Sequence, residues 1–187
     1  MRKLLFSRES ECIQPIRALI EEQKHRTLVL WAFDCAPRVL KIFEEQYLQE
    51  SRPRQALEMA KAWARGEIKM PPAKKAIQDA HNAATAAEGF PAAQAAARAV
   101  GHAAATVHVE THALGLVFYG LTAFIYKEGP DQYETIVRRE CDWFYDRLLY
   151  WQDNIDRQST PWAAFLLRDD VPNKEKLLAE KNRNRLN

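Results

Sequence analysis

Apolar positions recur at helical spacing along almost the whole chain. Between Thr27 and Leu48, residues Leu28, Trp31, Cys35, Val39 and Ile42 form one stripe of an amphipathic helix. Pro37 interrupts it. An interior proline removes a hydrogen bond and clashes with the carbonyl four residues back, so a kink near Phe33 is expected, or else a break with Asp34 as cap. Ser51-Arg52-Pro53-Arg54 opens a second helix, which runs through Leu57, Ala60 and Trp63 to an ending at Gly66. Pro71-Pro72 reads as a stop, followed by a helix from Ala73 to Glu88 with Ile77, Ala80, Ala84 and Ala87 inward. Gly89 then closes one helix and Pro91 opens the next, which predicts an antiparallel hairpin.

The segment Thr106 to Thr111 is nearly all β-branched or polar, so a break is expected between His108 and Thr111. Thr111 to Tyr126 is apolar on every face, the mark of a buried helix, and Gly129-Pro130 ends it. Asp131-x-x-Glu134 resembles a capping box ahead of another helix. In that helix Val137, Cys141, Phe144, Leu148, Trp151 and Ile155 alternate by four and three. Such a seam packs lengthwise on the central pair or on a second copy of the chain, giving a homodimer. Thr160-Pro161 predicts a last short helix with Trp162, Phe165 and Leu166, and Pro15 a short first one with Ile16, Leu19 and Ile20. From Asn173 the chain is charged and thin in apolar residues, and is expected to fray.

These elements predict an all-α, single-domain bundle of six to eight helices. Within the one domain, 1–24 is an N-terminal segment, 25–128 an alanine-rich core, 129–172 a set of helices packed on it, and 173–187 a tail. Alanine runs such as Ala92-Ala93-Gln94-Ala95-Ala96-Ala97 favour helix and let neighbouring axes approach closely. At 187 residues such a domain buries ~70% of its unfolded surface. A net charge of +2, evenly spread, carries no nucleic-acid footprint. The basic start Met1-Arg2-Lys3 is followed by only three apolar residues, so no signal peptide is expected. The run between Glu110 and Lys127 is too short for a membrane span. The three cysteines form no Cys-x-x-Cys pair, which fits a reducing cytoplasm.

Four of the five histidines lie between Ala73 and Tyr126. His108 and His112, four residues apart, would share a helix face, and His81 or His25 would complete a metal site; a small metal-binding bundle or metalloenzyme using His81, His108 and His112 is the second reading. The zinc-protease pattern fails, because Val109 stands where its glutamate must be. Glu22-x-x-His25 is half of a di-iron motif without its second half. There is no phosphate loop, nucleophile elbow or His-Asp pair, so neither an enzyme nor a cofactor is expected. Arg52 and Arg54 beside Trp63, together with Trp162, are the candidate partner-binding residues.

Ordered motifs from His25 to Tyr126 resemble the fifth family of immunity proteins of bacterial polymorphic toxin systems. They are His25-Arg26-Thr27-Leu28-x-x-Trp31-Ala32-x-Asp34-Cys35-Ala36, Arg52-Pro53-Arg54-x-Ala56-Leu57-Glu58 and Ala62-Trp63-x-Arg65-Gly66-Glu67-Ile68. Ala80-His81-x-Ala83-Ala84, Ala97-Arg98-Ala99-x-Gly101-His102-Ala103 and His108-x-x-x-His112-Ala113-x-Gly115 follow, with Tyr119 beyond. The resemblance implies a helical cytoplasmic protein that binds and silences a cognate toxin without catalysis.

Overall fold

The computed structural model describes residues 4–186, and these form eight α-helices and no strand. They are α1 (Gln14–Glu21), α2 (His25–Gln46), α3 (Arg52–Ala64), α4 (Met70–Ala86), α5 (Pro91–Ala105), α6 (His112–Glu128), α7 (Tyr133–Asn154) and α8 (Lys174–Leu186). Among the described residues no helix is long and apolar enough to cross a membrane.

Helix α5 is the axis of the bundle. It touches α2, α3, α4 and α6, and Ala95, Ala96, Ala97, Ala99, Ala103 and Ala104 are all buried. A methyl group is the only side chain that leaves room for neighbours on all sides, which is why alanine dominates here. Two apolar clusters flank α5. The larger gathers Trp31, Phe43, Leu116, Leu121, Phe144 and Leu148 from α2, α6 and α7. The smaller joins α3 and α4 to Ala104 and Val107 around Trp63. The Ala96 and Ala104 side chains are fully buried, so leucine at either position overpacks the core. Each change is expected to cost ~1–3 kcal/mol in urea unfolding, and neutrality at both would contradict the close packing.

Two expected punctuations are present. Gly89 takes φ +96° and Pro91 opens α5, which makes the hairpin, while the chain leaves α5 at Ala105 and re-enters helix at His112. Other details differ. Helix α2 is unbroken through Pro37, and Asp34 caps nothing: its carboxylate takes Arg147 Nε at 2.7 Å and Trp151 Nε1 at 3.0 Å. Pro71 and Pro72 fall in the first turn of α4, where prolines are tolerated, so they start that helix rather than precede it. Asp131 lies in a 3-10 turn, Pro130–Gln132, and makes no side-chain cap on α7. The segment after Pro161 is a single 3-10 turn, Ala164–Leu167.

The tail is a further correction, because Lys174–Leu186 is helical. Asn173 caps it through Glu175 N at 2.9 Å and donates to the carbonyls of Ile20 and Gln23 at 2.8 and 2.9 Å. The fully buried Glu175 carboxylate meets Arg8 Nε at 2.8 Å. Asn173, Glu175 and Lys176, which pairs with Glu22, dock α8 together with the buried Ala179 rather than a full apolar stripe.

The α7 seam packs within the chain. Phe144 and Leu148 are fully buried, and α7 lies against α1, α2 and α6. Trp31 meets Phe144 edge-on at 6.0 Å and donates from Nε1 to its carbonyl at 3.0 Å. Arg38 of α2 reaches the fully buried Glu140 of α7, with Nη2 to Oε1 at 2.8 Å and Nη1 to Oε2 at 2.6 Å. The shorter approach is a charge contact whose N–H points off the oxygen axis.

Candidate functional site

Helices α4, α5 and α6 each bring one histidine to a common contact. His81 meets His102 edge-on with ring centroids 5.4 Å apart, and His102 lies 5.2 Å from His112. Nδ1 of His102 stands 3.1 Å from Nδ1 of His112, so one of the two carries the proton and the other accepts it. Tyr119 stacks on His102 at 5.2 Å. Two glycines make the space. A Cβ on Gly101 would fall 2.6 Å from His81 Cε1, and one on Gly115 would fall 2.5 Å from His102 Cγ. Burial holds all three imidazoles neutral: His81 and His112 are pushed down, and His102 is lowered to about 3, with His112 and His81 adding to the effect of burial.

His108 is not part of this cluster. The four-residue spacing puts two histidines on one face only inside a helix, and α6 begins at His112. His108 lies in the preceding turn with its ring 6.2 Å from Trp63. His81, His108 and His112 are therefore not brought together, and among the described residues no three His, Cys, Asp or Glu side chains are grouped to hold a metal ion. His102 takes the place expected for His108; it lies on the neighbouring helix, ten residues from His112, where no single-helix spacing links the two.

The four candidate anchors fall into two groups. Arg52 and Arg54 are in the first turn of α3, where Glu50 holds Arg52 through Nη2 at 2.6 Å and Glu44 holds Arg54 through Nη2 at 2.6 Å. Both guanidinium groups keep an outward side. Trp63 is eleven residues further on, roughly 16 Å along the axis, and is only 7% exposed. Its ring packs on Phe165 at 5.5 Å, under the segment that follows α7, whose Ala163 N–H donates to Ala64 O at 2.8 Å. Trp162 is half-buried and lines a cleft of about 510 Å³ with Phe33, Asp34, Arg65 and Trp151. Trp63 thus supports the surface on which Trp162 is displayed.

A further pair stands at the turn between α1 and α2. His25 Nε2 is 2.6 Å from Thr106 O, and its Nδ1 faces Glu110 Oε1 at 3.7 Å. Burial lowers the His25 pKa, against the opposing pull of Glu110 and of the Thr106 carbonyl. Glu110 is 4% exposed, and its Oε2 is buried with no hydrogen-bond partner. The signal in the sequence was a single acid in a stretch otherwise almost without charge.

The arrangement is therefore an all-α bundle carrying neutral, buried histidines and a surface of arginines and an edge tryptophan. A family model described as "Imm-5 like putative immunity protein" matches residues 18–148. The chain belongs to that family, and the match runs beyond the quoted motifs at both ends, into α7. No curated protein and no solved structure matches.

Proposed function

We propose that this chain is an immunity protein that binds a cognate bacterial toxin domain and holds it inactive, with no chemistry of its own. The observation that carries the reading is the family match over residues 18–148. The histidine cluster supports the non-catalytic part. An imidazole lowered to about 3 is a poor base at neutral pH, and its Nδ1 is already engaged with His112. The place of action is the cytoplasm, where such a toxin would reach its target. Arg52, Arg54 and Trp162 are the proposed anchors, since binding energy concentrates in arginine and aromatic side chains, with Trp63 as the buried support of Trp162. The seam from Val137 to Ile155 is used inside the chain, which leaves a homodimer no role in this reading.

An interface of ~800 Å² per partner suffices for tight binding. A Kd of about 1 nM, worth ~12 kcal/mol, is the expected affinity. Co-expression with a toxic domain encoded by a neighbouring gene is expected to restore growth, and the two chains should elute together in a fixed ratio. A toxic neighbouring domain that is neither bound nor neutralised would refute the assignment.

A further inference from the structure

The His25–Glu110 pair holds two acceptors face to face. The Thr106 carbonyl can only accept, so the hydrogen bond at 2.6 Å places the imidazole proton on Nε2. In the neutral ring Nδ1 then presents a lone pair to the Glu110 carboxylate 3.7 Å away. Neither group supplies a hydrogen to the other, and the second carboxylate oxygen is buried without a partner. A buried acceptor left unmet is costly, and costlier still when it is charged.

Both residues line a cavity of about 450 Å³ between the α1–α2 turn, the segment Arg168–Asn173 and the start of α8. The cations around it are committed elsewhere except Arg168, which lines the cavity without an ion pair among the described residues and does not pair with Glu110. Lys176 pairs with Glu22 at 3.0 Å, Lys24 with Asp156 at 3.2 Å and Arg26 with Asp156 at 2.9 Å. Lys174 and His108 stand near enough to His25 to oppose its protonation, yet among the described residues no lysine or arginine pairs with Glu110. What the pair lacks is a cationic N–H donor able to bridge two acceptors.

We propose that His25 Nδ1 and the Glu110 carboxylate form a binding site for a guanidinium or ammonium group, supplied by an arginine or lysine of the bound toxin. Its use by the toxin rests on the immunity reading, whereas the site itself does not. A planar guanidinium presents several N–H donors in fixed geometry and bridges two neighbouring acceptors, which favours arginine over lysine.

The site is tested with ethylguanidinium as the probe, following the His25 ring resonances by NMR in the full-length protein. A saturable shift is expected, weaker by about tenfold or more, the scale of one charge-assisted hydrogen bond, for the uncharged N-ethylurea and for the Glu110→Gln variant. No saturable shift in the wild-type protein overturns the site without recourse to any variant, and so does equal binding of the urea. Glu110→Gln is also expected to weaken binding of the toxin domain by about tenfold or more. Unchanged toxin affinity with guanidinium binding intact overturns the partner's use of the site and leaves a free amine as the source of the cation. A toxin that fails to bind even the wild-type chain, with the guanidinium titration intact, sinks the immunity reading alone.

Discussion

Replacing Arg38 with methionine is expected to destabilise the fold by ~1–3 kcal/mol, because it leaves the buried Glu140 carboxylate with Arg139 as its only remaining cation and one oxygen unmet. Glu140 is fully buried and takes both terminal nitrogens of Arg38, while Arg139 Nε approaches its Oε1 at 2.7 Å from the same helix. Arg38 also lies over the rings of Trp143 and Phe124, 4.4 and 4.9 Å from their centroids, so its removal takes packing as well as charge. Methionine restores part of the apolar contact and isolates the charge effect. The double variant Arg38→Met/Glu140→Met is expected to recover most of the loss, since an apolar pair is often as stable as the buried ion pair it replaces. Urea unfolding of the single and double variants measures both. A double variant as unstable as Arg38→Met would show that packing, not the half-paired carboxylate, sets the cost.

The second large effect is acid sensitivity. His102 titrates near 6.5 when unfolded, but burial and the neighbouring imidazoles lower it to about 3 in the folded chain. Between those values the unfolded state binds the extra proton, so stability is fully present above about pH 6.5 and falls as the pH drops toward 3. At pH 4.5 the loss from His102 alone is ~3 kcal/mol, at ~1.4 kcal/mol per unit. His81 and His112 are shifted in the same direction and add to it. Unfolding free energies measured from pH 7.5 to 4.5 are expected to fall steeply, with a shallower slope in His102→Gln. Equal slopes in the two proteins would mean that the cluster does not stay neutral in the folded state.

The elements whose signals are local were legible in the sequence. Gly89 and Pro91 set a reversal through backbone geometry alone, and the β-branched run from Thr106 to Thr111 broke the helix where propensity is weakest. The burial of Ala96 and Ala104 followed from what a small side chain permits. Features that depend on partners distant in sequence were not legible. Helix α8 has almost no apolar stripe, and its docking rests on Asn173 reaching carbonyls some 150 positions away and on Glu175 meeting Arg8. Pro37 stays inside a continuous α2, on the exposed face of that helix. The histidine contact needs three helices in register, whereas four-residue spacing pairs His108 with His112 only if both are helical, and His108 stands in a turn. Trp63 gave no sign that residues a hundred positions later would cover it.

Stoichiometry is the most direct test of the proposal that this protein acts by binding rather than by turnover. The activity of the purified toxin domain, titrated with this protein, is expected to fall linearly and vanish at a fixed molar ratio, with full activity recovered when the complex is denatured and the toxin refolded alone. Complete loss of activity at far less than equimolar protein, with the toxin permanently altered, would show catalysis and contradict the account; so would undiminished toxin activity at excess protein.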